Sequence, residues 1–569
     1  MLVRKLGFNL RKEEVVADRC VIASNHPLAC SAGIDAYSHG GNAFDAAVAA
    51  LFALTVVEPM MVSVFGAGFF VVRDGVSGEI KTIDNYAVAP NAAGDDMYEM
   101  IEERKLGENI FETVDRKNQD GLLAVATPGT LKAWEYVVER YGVLDFATVI
   151  GPAVKLARSG YRSSPYMEFI LDMRKESMIN FPETAKMFMP DGKPLPSGST
   201  IKMPEYAETL EQIASDGSDT LYEGEVGKTI IDYMEDNGGL ITMKDLGDYN
   251  LIHREPVKGV YREDYEIYSM APGSSGGTHI IQILNMLESF DIQSTGFGSV
   301  KHLHLMAETL KIAFADRQCF MGDPSTINIP LEGLISKEYA LKRAGLITEK
   351  VRDVESGDPH NYLPESRNTT HVSAMDNEGN MVAATQTLNN VFGSLVTVPG
   401  TGVRLNNCMA LFDPRAGRAN SVAGGKRMLS SMSPTIILKK EKPFLCIGTP
   451  GGLQIFPTVT QAIVNIIDFK MNIQEAVEAP RLWTMGIKGT PGEKLLLESG
   501  FSEDTVNDLI ERNHEVLIMK RIAGGMNGVL RDPKTGLLHG GACWRADGAA
   551  MGISGGLSEK KLLEPNPLY

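Results

Sequence analysis

The chain has 569 residues and a mass of 61.9 kDa, room for several domains of about 150 residues or for fewer large ones. Hydrophobic residues make up 43% and charged residues 22%, the balance of a soluble globular protein, which excludes collagen-like, coiled-coil and disordered chains. Fifty-five Lys and Arg against 72 Asp and Glu give a net charge of -17 and a pI near 5.2, so the chain repels phosphate backbones and anionic membrane surfaces and no nucleic-acid partner is expected.

The first residues, Met1 to Glu14, carry basic side chains but no uninterrupted apolar run and no small-residue cleavage site. They do not read as a secretory signal, which leaves the cytoplasm as the expected location. The most apolar stretch, Ala43 to Val72, is broken by Asp45 and by Glu58-Pro59, short of about 18 clean apolar residues, so no membrane span is expected. Gly40-Gly41-Asn42 opens a small-residue helix that Glu58-Pro59 ends, because proline has no N–H to continue it. Thr127-Pro128 reads as an N-cap with proline at the first helical position, followed by Leu131, Trp134, Val138 and Tyr141 on one face up to Gly142. A second amphipathic pattern carries Val300, Leu303, Ala307, Leu310 and Phe314, with Glu308 and Lys311 off that stripe.

From residue 369 the texture turns to short β-rich runs. Val372–Met375 and Met381–Thr387 flank Asp376–Asn380, whose Gly and Asn suit a hairpin loop. Ser433–Leu438 and Pro443–Thr449 form a second hairpin pattern around Lys-Lys-Glu-Lys, followed by Thr449-Pro-Gly-Gly452 and a helix from near Pro457. Adjacent strands joined by tight loops and mixed with helices predict an α+β sandwich with antiparallel sheets.

Several site-like motifs lack their defining parts. Thr449–Gly452 has no Lys-Ser/Thr to finish a phosphate loop, and Gly66-Ala-Gly68 is no dinucleotide fingerprint. His302 and His304 stand two apart and point different ways on a helix, so with Glu308 they read as core or surface histidines rather than metal ligands. The six cysteines form no CxxC pair and read as buried thiols. Ser274-Ser-Gly-Gly277 has no GxSxG frame and reads as a structural loop.

The sharper signal is Arg367-Asn-Thr-Thr-His-Val-Ser-Ala-Met-Asp376. With it stand Gly40–Val48, Glu58-Pro59, Pro128-Gly129, Ser274–Gly277, Glu308–Arg317, Thr387-Leu-Asn389, Leu405-Asn-Asn407, Lys426-Arg427, Ser430–Thr435, Gly448–Gly452 and Ala476–Arg481. In these motifs the chain resembles the gamma-glutamyltransferase family of N-terminal-nucleophile hydrolases along nearly its whole length. The resemblance implies a four-layer αββα sandwich and self-cleavage between Asn368 and Thr369. It further implies two fragments, 1–368 and 369–569, that stay together as one intertwined unit. It makes Thr369 the nucleophile, with its freed α-amine as base: a hydroxyl needs such a neighbour, and an amine of ordinary pKa about 7.7 to 8.0 suits neutral pH. The plain alternative is that Thr369 and Thr370 only favour a strand.

By the same resemblance Thr387 hydrogen-bonds the nucleophile and the Gly451 and Gly452 backbone N–H groups receive the oxyanion. Asn389, Ser430 and Ser431 then hold the α-amino and α-carboxylate ends of the donor. For each hydroxyl a local backbone bond is the alternative. No metal or organic cofactor is implied; the partner is a small-molecule amide.

Two departures stand at the donor end. Tyr86 occupies the place of the family's donor-carboxylate arginine, and Cys408 and Leu411 stand where Gln and Asp grip the donor ammonium. Asp413, expected on the same side of a strand as Leu411, and Arg404, Arg415 or Arg418 are candidate replacements. Three functions follow: cleavage or transfer of a gamma-glutamyl amide through an acyl-threonine, hydrolysis of a non-glutamyl small amide or acylated amine, or an uncleaved paralogue that only binds.

Overall fold

The computed structural model describes residues 8, 10–101, 111–351, 354, 368–418, 420–488, 490 and 492–554. Arg367, the first residue of the Thr-Thr-His motif, and residues 1–7 and 9 of the leader reading lie outside them.

Two seven-stranded sheets face each other. One runs Val15–Ala17, Leu538–Ala542, Asn527–Arg531, Lys442–Gly448, Thr435–Lys439, Tyr265–Ser269 and Val257–Tyr261. The other runs Ala549–Ile553, Cys20–Ser24, Asn368–Asp376, Met381–Asn389, Ala67–Arg73, Ile80–Asp84 and Ile252–Arg254. Every neighbouring pair in both is antiparallel. Each sheet contains strands from both sides of the Asn368–Thr369 bond, so the two halves of the chain share one core.

Side-chain alternation along the strands separates the layers. Val21, Val71, Met375, Ala383, Ile436, Cys446 and Val529 fill the space between the sheets. Val372, Ala374, Val382 and Ala384 point outward into a helical layer, and Ile437, Leu445 and Ile447 point into a second one on the far side. The result is the expected αββα stack. Both expected hairpins form, across Asp376–Met381 and Lys439–Lys442.

Helix Ala43–Val57 starts in a capping box between Asn42 and Asp45 and ends at Glu58. All of its residues are buried, which its Ala-rich sequence permits because small side chains let neighbouring backbones come close. Helix Val300–Phe320 is longer and more enclosed than its amphipathic stripe predicts. Glu308 and Lys311 are buried and paired at 2.9 Å, not facing solvent. Thr127 is not a helix cap: it exchanges backbone hydrogen bonds with Val88, and the helix begins at Thr130 after Gly129. A Cβ on Gly129 would lie 1.9 Å from Tyr249 Oη, so tertiary packing sets that boundary. The helix expected near Pro457 runs Ile455–Ile467, entered through a tight turn at Gly452–Gln454. Five of the six cysteines are buried and Cys319 is half-buried. Among the described residues no helix is long and apolar enough to cross a membrane.

Candidate active site

Thr369 lies in the second residue of strand Asn368–Asp376, near the middle of its sheet. Asn368 pairs with Asn389 and Thr370 with Gln386, leaving Thr369 in a bulge across from Thr387 and Leu388. Bulges re-aim a side chain and recur beside active sites. Thr369 is 1% exposed, and its Oγ1 is a buried hydroxyl with no hydrogen-bond partner. Such a group costs about 1–3 kcal/mol unless chemistry uses it.

The strand alternation puts Thr369 and His371 on the side facing the second sheet, and Thr370 on the helix side. His371 packs so tightly on Gly448 that a Cβ there would lie 2.3 Å from the imidazole Cε1. Its nitrogens are engaged by Thr385 Oγ1 at 2.8 Å and Ser373 Oγ at 3.0 Å. Burial pushes it down to about 3, so it is a neutral spacer at physiological pH and not the base. Asn527, paired with Gly448 across the second sheet, donates from Nδ2 to the His371 carbonyl at 2.8 Å.

These contacts lock the end of strand Lys442–Gly448 against the start of the Thr369 strand. The chain leaving that strand is Thr449-Pro450-Gly451-Gly452, at the head of helix Ile455–Ile467. Gly451 has φ 144° and Gly452 φ 58°, left-handed conformations that suit glycine. A Cβ on Gly451 would meet the Ala523 Cβ at 2.7 Å. The backbone there is thus exposed by two glycines at the positive end of a helix, where N–H groups collect negative charge.

Thr387 Oγ1 accepts from the Asn389 N–H at 2.7 Å; the hydrogen bond to the nucleophile that the resemblance implies is not made in the uncut chain, where Thr369 Oγ1 has no partner. Asn389 takes φ 81° and donates from Nδ2 to the Asn407 carbonyl at 2.9 Å, while Asn407 Oδ1 accepts from Asn390 N–H at 2.8 Å. Ser430 Oγ accepts from Met432 N–H at 3.2 Å. Ser431 Oγ accepts from Arg317 at 3.2 Å, and the same guanidinium donates to Ser275 Oγ at 2.8 Å. The Ser274–Gly277 loop is therefore the clamp that seats Ser430 and Ser431, as Ser275 N–H and Oγ both donate to the Ser430 carbonyl. Arg317 is a buried cation behind Ser431. It stands in the quoted Glu308–Arg317 motif, but only the fold reveals its contact.

The donor-end departures are buried and uncharged. Tyr86 stacks on Phe69 with centroids 4.9 Å apart and planes within 7°. Cys408 and Leu411 lie in a buried helical turn, and burial pushes the Cys408 thiol well up, keeping it protonated. Asp413 does not share a strand face with Leu411, because Cys408–Leu411 is that turn. Its carboxylate takes a two-pronged ion pair from Arg415 at 2.9 and 2.6 Å, and Arg415 lies over the Phe111 ring. Arg404 is no replacement either: it donates to Thr55 O at 2.6 Å and covers the Tyr206 ring in the helical layer. Arg418 donates its backbone N–H to Ser421 Oγ.

Among the described residues one grouping could suit a metal: ligand atoms of His304, Glu308 and His514 lie within 4.8 Å of one another. It is internally satisfied. His304 Nδ1 meets His514 Nε2 at 2.8 Å, His304 Nε2 meets Thr348 O at 2.6 Å, and the Lys311 ammonium already pairs with Glu308. His304 and His514 are both buried; His514 joins the grouping only through the fold.

Comparison with known proteins agrees with this geometry. Residues 29–553 match the family described as Gamma-glutamyltranspeptidase. The chain is 45% identical to the Acylase ACY 1 proenzyme of Pseudomonas sp. (strain SE83), over 98% of this chain and 97% of that one. It is 37% identical to the Glutathione hydrolase proenzyme of Escherichia coli (strain K12), over 92% and 90%. The crystal structure of cephalosporin acylase from Bacillus halodurans superposes with a TM-score of 0.84 at 28% identity, covering 96% of this chain and 98% of that one. The chain thus belongs to the gamma-glutamyltranspeptidase family, as an N-terminal-nucleophile enzyme made as a precursor that is cleaved into two associated chains.

Proposed function

We propose that cleavage falls between Asn368 and Thr369 and that Thr369 then hydrolyses a small amide whose acyl half carries a terminal carboxylate but no ammonium, a glutaryl-type donor rather than a gamma-glutamyl one. In cleavage the Thr369 hydroxyl attacks the Asn368 carbonyl, the peptide C–N bond breaks as the hydroxyl proton passes to nitrogen, and water hydrolyses the ester. The mature hydroxyl repeats this attack on substrate, with the freed amine as base, Thr387 orienting the hydroxyl, and the Gly451 and Gly452 N–H groups receiving the oxyanion.

The observation that carries the donor reading is the absence of an available anion at Cys408 and Leu411, where the family grips the donor ammonium, with Asp413 committed to Arg415. A buried ammonium without a partner costs about 3–5 kcal/mol. A carboxylate still finds the Ser430 and Ser431 hydroxyls, with Arg317 behind Ser431. The 45% identical relative named an acylase supports the same choice. The test compares kcat/KM for glutaryl anilide, gamma-glutamyl anilide and glutathione. A preference for the glutaryl compound of about 100-fold is expected from the stranded charge; a preference for glutathione that is lost in Asp413→Ala refutes the reading.

A further inference from the structure

Glu58, which ends helix Ala43–Val57, meets the residue that follows the candidate nucleophile. It is 1% exposed; its Oε2 accepts from Thr370 Oγ1 at 2.7 Å, and its Oε1 has no partner. The helix end adds its own negative dipole there. Among the described residues, the charged and titratable groups around it are Asp547, Tyr161 and Tyr166. Among the described residues the cations in this neighbourhood are engaged elsewhere: Arg404 on Thr55 O and the Tyr206 ring, Lys12 on the carbonyls of Cys543 and Gly548, and Arg521 on Arg545 O and the Tyr166 and Phe169 rings. A half-satisfied carboxyl in such a place calls for an explanation, and the strand supplies one. Thr370 faces Glu58, so Thr369 Oγ1 lies on the opposite face, and the Thr369 nitrogen lies in the strand between them.

We propose that Glu58 is a positioning residue for catalysis, the charge partner of the α-amine that cleavage creates on Thr369. This rests on the reading of Thr369 as nucleophile. When the hydroxyl oxygen bonds to the acyl carbon, its proton passes to the amine; the resulting ammonium is held by the Glu58 carboxylate behind it. That ammonium then gives the proton to the departing amine as the substrate C–N bond breaks, and Glu58 is unchanged. The role parallels the carboxylate that supports an imidazolium in hydroxyl-based triads. In the uncut chain there is no ammonium, and burial pushes Glu58 up to about 8, so it waits as a neutral acid.

The test is the pH profile of kcat/KM in mature Glu58→Gln, Glu58→Asp and wild-type protein. The wild-type acidic limb should have its midpoint at about 8 or above, because a carboxylate beside the amine favours the ammonium. Glu58→Gln should lower that midpoint by about one pH unit or more, and Glu58→Asp should restore part of it. An unmoved midpoint in Glu58→Gln, even with a lower plateau, overturns the proposal and leaves Glu58 structural. If Glu58→Gln stays uncut, the wild-type limb decides: a midpoint below about 8 overturns it. Cleavage or activity in Thr369→Ala would instead sink the nucleophile reading on which this stands.

Discussion

The buried Glu58 makes a quantitative prediction about the uncut chain, in which no amine is present to pair with it. Thr369→Ala holds the protein in that form. Burial moves the carboxyl from 4.5 to about 8 in the folded state. Below pH 4.5 the carboxyl is protonated whether the chain is folded or not, and its contribution to stability is intact. Between 4.5 and about 8 the unfolded chain releases the proton while the folded chain keeps it, so stability falls as pH rises and levels off above about 8. At about 1.36 kcal/mol for each pH unit the full loss is roughly 5 kcal/mol. Urea unfolding of Thr369→Ala and of Thr369→Ala/Glu58→Gln at a series of pH values from about 5 to 8 isolates it, because every other titrating group is common to both. The single variant should lose several kcal/mol more than the double across that range. Parallel curves would show that Glu58 is ionised in the folded precursor and would refute the argument from burial.

Two substitutions probe the neighbouring parts. Gly451→Val, read in protein already cleaved and folded, should lower kcat about 100- to 1000-fold, the usual cost of losing one aimed oxyanion donor, since φ 144° and the 2.7 Å approach to Ala523 leave no room for a side chain; unchanged turnover removes the loop from the site. Arg317→Met should reduce kcat/KM for a glutaryl anilide by about 10-fold or more relative to a butyryl anilide, which has no carboxylate to bind; equal losses on both would assign Arg317 to packing alone.

What the sequence makes legible here is local or motif-borne. Alternating hairpin strands, the opening of the Ala-rich helix at Gly40-Gly41-Asn42, and the Thr-Thr-His segment each carry their signal within about ten residues. The hairpins and helices by themselves predict an α+β sandwich with antiparallel sheets; the four-layer order comes from the family resemblance. What escapes is set by residues far apart in the chain. Thr127 has the chemistry of a helix cap, but Val88 takes its backbone. Asp413 has the spacing to replace Leu411, but a helical turn and Arg415 remove it. Lys311 looks like a surface lysine until Glu308, His304 and His514 close around it. Glu58 reads as a helix stop, and only the register of the Thr369 strand shows that its carboxyl meets Thr370.

The account stands on the freeing of Thr369. Intact mass measurement of purified wild-type protein under denaturing conditions, beside Thr369→Ala and Thr369→Ser, tests it directly. Wild type should give two polypeptides, the smaller beginning at Thr369; Thr369→Ala should give one, and Thr369→Ser, which keeps a hydroxyl, should give two more slowly. A single uncut wild-type chain that hydrolyses amides at full rate, or a cut at any other bond, would contradict it.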